Sequence, residues 1–250
     1  MADWDDSSTR SWNAAADEWV AHSDTNDYRN HYLMPRMLAR VGSVAGKHVL
    51  DLGCGEGGYA RELRRRGATV TAVDGSERLI EIARQRAGDT AGLSFLWTNA
   101  NRLAAIAAGS IDVIVAAMSL MDVEDYAGAI HEARRVLRPG GMLHMSITHP
   151  CFTAPVSEWV REANGDLRHF AVDRYFERSA RESRIAASFR TTVLRRHRPL
   201  EDYMAAPLAE RFILRQFSEP TVTAEELMLS RRFRKLQRIP YFLFLDWEAG

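Results

Sequence analysis

The chain is expected to fold as an α/β domain, a mostly parallel sheet with helices on both faces, and three observations predict it. From Lys47 onward, short apolar runs alternate with helical patterns, at 48–52, 59–66, 69–73, 76–87, 93–97, 111–117, 123–137 and 142–147. Strands separated by helices pair in parallel and need a cover on each face. The first run, Val49-Leu50-Asp51-Leu52, turns through Gly53, Gly55, Gly57 and Gly58 into a helical pattern at Tyr59. Finally, Asp51, Asp74, Asn99 and Met118 fall at the C-terminal ends of the strands, the edge where such sheets bind ligands.

Taken in order, residues 10–40 read as helical, with Trp12, Ala16, Trp19 and Val20 on one stripe and a polar break at Ser23–Asp27. Tyr28 to Val41 resumes the pattern, and Pro35 marks a turn or helix start. In the helix at 123–137, Tyr126, Ile130, Ala133 and Leu137 recur at helical spacing and should face the sheet. After His149-Pro150 the pattern changes: 151–198 is rich in aromatic residues and arginine, and Asn164-Gly165 between Trp159-Val160 and Leu167–Phe170 signals a hairpin. Pro199–Glu210 reads as a helix, Phe212–Phe217 as a strand, 223–238 as a basic helix and Tyr241–Trp247 as a last strand.

A strand, a glycine loop and a helix N-terminus form a place where a nucleoside-like ligand can lie against bare backbone. Gly53, Gly55 and Gly58 also fit the dinucleotide fingerprint, so spacing leaves the ligand open. Asp51 stands where dinucleotide enzymes keep an apolar residue, and an acid there suits a ligand carrying an amine. Asp74, at the end of Val70–Val73, can accept both hydroxyls of a ribose; the bland reading is a helix cap.

Five segments together resemble the class I S-adenosylmethionine-dependent methyltransferases, over residues 47–149. They are Asp51-x-Gly53-x-Gly55-x-Gly57; Asp74; Phe95–Leu103, with Asn99-Ala100 where the family has Asp-Ala; Ser110–Leu120; and Leu137-Arg138-Pro139-Gly140-Gly141. The resemblance implies a Rossmann-like seven-stranded sheet with its last strand antiparallel. It also implies a cap at 1–46, a core at 47–150, an insertion over the strand tips at 151–198, and completion of the sheet by 199–250. The insertion reads as a structural flap or a substrate lid, and its position favours the lid. S-adenosylmethionine becomes the expected cofactor, adenosylhomocysteine its product, with no metal. Gly53, Cys54 and Gly55, with Asp51 acting by charge through water, should hold the methionine end. Asp74, Gly75 and Ser76 should hold the ribose and flank the adenine, Asn99 and Ala100 should read the adenine edge, and Ala117 and Met118 should lie under the sulfonium.

Trp12–Trp19 resembles a Tyr-Asp-x-x-Ala-x-x-Tyr element that closes over the cofactor in small-molecule members, with Trp at both Tyr positions. Trp12, Trp19 and Met121 are therefore candidates to position the methyl group or acceptor, an indole face attracting a sulfonium; alternatively the tryptophans pack on the sheet. Tyr28 and Arg29 are further cofactor candidates, Arg29 for the carboxylate. For a general base, His149 is the best-placed imidazole, and Asp122 either serves or caps the next helix. Lack of a clear base favours an amine acceptor over an alcohol. A dehydrogenase explains the glycines and Asp74 but not Asp51 or Leu137–Gly141. A cofactor-binding protein without activity, or an enzyme acting on RNA or protein, are the other readings.

Composition narrows the partners. Formal net charge is zero over 250 residues, which argues against a general nucleic-acid binder. Only Lys47 and Lys235 are lysines. Cys54 and Cys151 cannot build a disulfide framework, and no His or Cys pair has structural-zinc spacing. The acidic start (Asp3, Asp5, Asp6) is unlike a signal peptide, and no apolar run reaches the ~20 residues of a membrane helix. A cytoplasmic enzyme with a small-molecule acceptor, without nucleic acid or membrane, is the expectation.

Overall fold

The computed structural model describes residues 6–250; Asp3 and Asp5 lie outside the described residues. Seven strands form the central sheet: β1 (His48–Leu52), β2 (Thr69–Asp74), β3 (Leu93–Trp97), β4 (Ile111–Ala117), β5 (Leu137–Thr148), β10 (Phe212–Ser218) and β11 (Phe242–Ala249). Their order is β10-β11-β5-β4-β1-β2-β3. β1 pairs in parallel with both β2 and β4, so the strand order reverses beside it and leaves a crevice at its C-terminal end. β11 runs antiparallel to both β5 and β10. The seven-stranded expectation, with an antiparallel last strand, holds.

Side-chain alternation splits the core in two. Leu50 and Leu52 of β1 face α6 (Tyr126–Val136), whose Tyr126, Ile130 and Ala133 are buried as their spacing predicts. Leu137 joins the same cluster as the first residue of β5. Val49, Val70 and Ala72 face the other way, onto Ala60 and Leu63 of α4 (Gly58–Arg65) and Ile80 of α5 (Glu77–Ala87).

The N-terminal region forms α1 (Ser7–Ala14), α2 (Ala16–Ser23), a π-helical turn at Tyr28–Leu33 and α3 (Met34–Val41), which has Pro35 in its first turn. Residues 151–198 fold as two hairpins, β6 (Val156–Arg161) with β7 (Leu167–Asp173), and β8 (Ser179–Ser183) with β9 (Val193–His197). Gly165 has φ 90° in the first hairpin's turn, as the Asn-Gly signal predicts. The second hairpin is tied to the N-terminal helices. The Glu18 carboxylate accepts from Arg190 N, Thr191 N and Thr191 Oγ1 at 2.6, 3.1 and 2.5 Å, and Ser11 Oγ accepts from Leu194 N at 3.0 Å.

One predicted element is corrected. Residues 223–238 are not one helix: α8 (Ala224–Leu229) ends at Ser230, and a 3₁₀ helix follows at Arg231–Gln237. Ser230 is extended (φ −156°, ψ 131°), and its hydroxyl accepts from Arg232 N, which caps a new start. α7 (Leu200–Ala209) lies where expected.

A buried polar network locks β11 onto β5 and α3. Asp246 accepts from Arg40 at 2.6 Å and pairs with His144 Nδ1 at 2.9 Å, all three being buried or nearly so. Removing the carboxylate strands a buried guanidinium, so Asp246→Ala is expected to cost about 3–5 kcal/mol. Urea denaturation checks this; cofactor affinity should not change, because Asp246 lies outside the cavity described below.

Candidate functional site

A cavity of about 770 Å³ opens at the C-terminal edge of β1, β2 and β4, between the sheet, α1, α2 and the two hairpins. Gly53 begins its floor. Its φ is +77°, and a Cβ there would lie 2.3 Å from Ser119 Cβ, so no other residue lets the β1 and β4 loops meet. Ser119 Oγ donates to Leu52 O at 2.6 Å and fixes that contact. Met118, next to it, has φ 57°, a strained conformation for a side-chain residue that costs of order 1–3 kcal/mol. Its N–H donates to Ser146 O at 2.9 Å, which holds the turn.

Of the residues singled out from sequence, Trp12, Trp19, Tyr28, Arg29, Gly53, Cys54, Gly55, Asp74, Gly75, Ser76, Asn99, Ala100, Ala117, Met118, Met121 and Asp122 all line this cavity. Asp74 links two loops: Oδ2 accepts from Gly55 N at 2.8 Å and Oδ1 from Ser76 N at 2.9 Å. Burial raises its carboxyl while these two bonds oppose the rise. Ser76, rather than Asp74, caps α5. The Cys54 thiol is buried and pushed up by that burial and by the surrounding acids, so it is held as a neutral thiol. Trp12 and Trp19 meet edge to face, centroids 5.7 Å apart and planes at 84°.

Asp51 stands just behind the lining. It is 1% exposed and its Oδ2 has no hydrogen-bond partner among the described residues. Burial first, then the charge of Asp74, pushes its carboxyl up to about 8. A buried acid without a partner for one oxygen is costly to ionise, which is why its carboxyl is raised.

Asp122 gains weight. The cap of α6 is Asp125, which accepts from Gly128 N at 2.9 Å, so Asp122 is not the helix cap. Burial pushes its carboxyl up to about 6, against the pull of Arg195, Arg198, a hydrogen bond from Trp12, and Arg196. Arg198 clamps its loop, donating to Met121 O at 3.1 Å, Val123 O at 2.5 Å and Glu124 O at 2.8 Å.

Three expectations need correction. His149 does not line the cavity: it is 2% exposed, its Nε2 is paired with Glu219 at 2.7 Å, and its Nδ1 accepts from Cys151 N. It shapes the turn after β5, and burial lowers its pKa. Arg29 is not free for a carboxylate, since it bonds Glu56 at 2.5 Å and Asn30 at 3.0 Å. The Ala100 N–H is taken by Asn99 Oδ1 at 2.7 Å, while Asn99 Nδ2 donates to Asp6 Oδ2 at 3.0 Å, so the polar group that pair presents includes Asp6.

Sequence reasoning missed Asp6, Glu56, Ser119 and Arg195, all of which line the cavity. Glu56 is 3% exposed and is met by Arg29, Arg61 and Arg86; burial opposes its ionisation, yet these cations hold its carboxyl below the usual range. Only Asp6 carried a local signal, as an acid before Ser7–Arg10 in N-cap position. Among the described residues no group of three or more His, Cys, Asp or Glu stands as metal ligands would, and no helix is long and apolar enough to cross a membrane.

A doubly wound sheet with a glycine loop and an acid at successive strand tips is the arrangement on which α/β proteins commonly hold nucleoside ligands. Residues 50–145 match the family described as a methyltransferase domain. Over 117 residues the chain is 37% identical to demethylmenaquinone methyltransferase of Tropheryma whipplei, covering 46% of this chain and 48% of the relative. Over 138 residues it is 32% identical to a ubiquinone biosynthesis O-methyltransferase of Acinetobacter baylyi, covering 53% and 57%. The chain thus spans about half the length of the curated relatives it matches. The crystal structure of an S-adenosylmethionine-dependent methyltransferase from Mesorhizobium loti superposes with a TM-score of 0.77 at 26% identity, over 90% of this chain and 99% of that one. Residues 50–145 thus match a methyltransferase domain, and the chain shares its fold with a solved S-adenosylmethionine-dependent methyltransferase.

Asp51 gives a testable signature. A carboxyl raised in the folded state keeps its proton where the unfolded chain has lost it, so its contribution to stability falls as pH rises from about 4 to about 8. Asp51→Asn is therefore expected to gain stability relative to the native protein between about pH 5 and about pH 9 while losing adenosylhomocysteine affinity. Urea midpoints at both ends of that range, with calorimetry, check it; equal loss of stability at every pH contradicts it.

Proposed function

We propose that the protein transfers a methyl group from S-adenosylmethionine to a small-molecule acceptor, and that the acceptor atom is a hydroxyl oxygen. The observation that carries this reading is the convergence of Gly53, Gly55, Asp74, Asn99 and Met118, from four strand tips, on one wall of a cavity whose far wall is aromatic. When bound, the cofactor supplies an electrophilic methyl on a sulfonium that is its own leaving group. The protein's work is then to hold, orient and exclude water, and well-oriented reactions gain roughly 7–11 kcal/mol in this way.

The residues fit such a ligand. The orphan Asp51 oxygen suits an ammonium, Asp74 the hydroxyls of a ribose, and the Asp6–Asn99 pair the edge of a base. The two indoles suit a sulfonium, each cation–π contact being worth about 0.5–2 kcal/mol. The described N-terminal residues, 6–46, act as a cap and 151–198 as a lid; the Glu18 and Ser11 bonds to the second hairpin support closure of one upon the other.

Oxygen is preferred because of Asp122. The sequence expectation of an amine rested on a missing base, and Asp122 lines the cavity beside Trp12 with its carboxyl raised to about 6. Such a group is ionised at neutral pH yet basic enough to take a hydroxyl proton. The name of the Acinetobacter relative, an O-methyltransferase, agrees.

Labelled S-adenosylmethionine added to cell extract is expected to mark the small-molecule fraction, not RNA or protein. With the acceptor isolated, the rate should climb as Asp122 ionises, through about pH 6, and then level. Asp122→Asn should be roughly 10²–10⁴-fold slower, without that inflection and with unchanged adenosylhomocysteine affinity. A native rate in Asp122→Asn contradicts the base assignment; label confined to RNA or protein contradicts the acceptor class.

A further inference from the structure

Two cations on the cavity wall meet no acid among the described residues. The 3₁₀ helix Arg231–Gln237 has three residues per turn, so positions three apart eclipse. Its sequence follows that period. Phe233 and Leu236 are 0% and 3% exposed and fill the core, Arg231 and Arg234 face solvent, and Arg232 and Lys235 line the cavity together. Among the described residues, neither the Arg232 guanidinium nor the Lys235 ammonium meets an acid or a hydrogen-bond acceptor. The other cavity-facing arginine near this helix, Arg29, is closed off by Glu56. The nearby Asp27 carboxylate is taken by Ser230 Oγ at 2.7 Å. Glu158 and Asp122 are the acids on the acceptor side, the first exposed and the second beside Arg195. Two like charges on one helical face make a local positive potential that attracts an anionic guest.

Aromatic rings share that side. Phe152 packs on Phe170 at 6.0 Å and Trp159 on Phe170 at 5.2 Å, while Tyr241 meets Phe242 at 5.4 Å, and all five line the cavity. Tyr28 joins them to the cations, its hydroxyl donating to Arg232 O at 2.9 Å.

We propose that the acceptor is a planar ring compound bearing an anionic oxygen group, carboxylate or phosphate, and that Arg232 and Lys235 form the subsite for that group. The inference rests on the methyltransferase reading and deepens it. The aromatic walls hold the ring, the cation pair fixes its acidic end, and the hydroxyl to be methylated is left for Asp122. Neutral quinone-like rings would fill the aromatic walls and leave the cations unanswered.

The test is a calorimetric titration of the protein saturated with adenosylhomocysteine. The probes are 3,4-dihydroxybenzoate, its methyl ester and phenyl phosphate. The acid is expected to bind at least about tenfold tighter than its ester, the yield of one or two charge-assisted hydrogen bonds. Phenyl phosphate against the acid tells which oxyanion the subsite takes. Arg232→Ala/Lys235→Ala should erase the acid's advantage, leaving ester and adenosylhomocysteine affinities within about twofold. Arg231→Ala/Arg234→Ala removes the same charge from the solvent face and should change nothing. Both pairs are exposed, and melting curves confirm folding. Equal affinity for acid and ester overturns the proposal, as does an equal effect of the two double variants. Loss of adenosylhomocysteine affinity in Arg232→Ala/Lys235→Ala also overturns it, by giving the cations to the cofactor's carboxylate. If the native protein fails to bind adenosylhomocysteine, the methyltransferase reading fails instead, and the acid–ester comparison on the free protein still decides the subsite.

Discussion

The structure depends on one contact, the meeting of the β1 and β4 loops at Gly53 and Ser119. β1 pairs with β2 on one side and β4 on the other, so the connections leave it in opposite directions. That divergence opens the crevice, and its floor can close only because Gly53 has no side chain where Ser119 sits. Ser119 in turn donates to Leu52 O, and Met118 is held at positive φ by Ser146. The β4–β5 register, with Ala117 opposite Ser146, places the bond that holds Met118, and the β1–β4 pairing brings Ser119 to Leu52. Backbone close approach, rather than any strong side-chain pair, sets the geometry of the cavity floor.

Charge is distributed around that floor with a consistent asymmetry. On the sheet side the acids are in excess: Asp51 lacks a partner for one oxygen, and Asp74 has only backbone donors. Glu56 is the exception, closed by Arg29, Arg61 and Arg86 into a cluster that braces the π-helical turn and α5 against the glycine loop. On the hairpin and C-terminal side the cations are in excess, at Arg195, Arg232 and Lys235. A cationic donor on the first wall and an anionic acceptor on the second would each neutralise what the fold leaves open. Leaving such groups unpaired is a cost in stability that binding sites commonly bear.

Much of this was legible in the sequence, and the reasons are local. The strand tips could be read because Asp51, Asp74, Asn99 and Met118 each end an apolar run, and parallel topology brings such ends to one edge. Asp122 was ambiguous because an acid ahead of a helix looks like a cap; that Asp125 takes the cap depends on three residues of backbone conformation. His149 misled because a strand-tip imidazole faces the ligand edge in projection, whereas Glu219, distant in sequence, draws it away. Asp6 announced a helix cap but not its bond to Asn99, and Arg195 and Arg198 were invisible since the groups they act on lie far along the chain, at Asp122 and the loop at 121–124. The cation pair was hidden by reading 223–238 with a period of 3.6; its period is 3, imposed by the break at Ser230.

The central claim is that the β1–β2 edge receives the nucleoside and amino-acid ends of the cofactor. A crystal structure of the protein with adenosylhomocysteine tests it most directly. The ribose hydroxyls are expected on the Asp74 carboxylate, and the ammonium group should answer Asp51 Oδ2 directly or through one water. A nucleoside bound elsewhere in the cavity, with Asp74 still held only by Gly55 and Ser76, would contradict it.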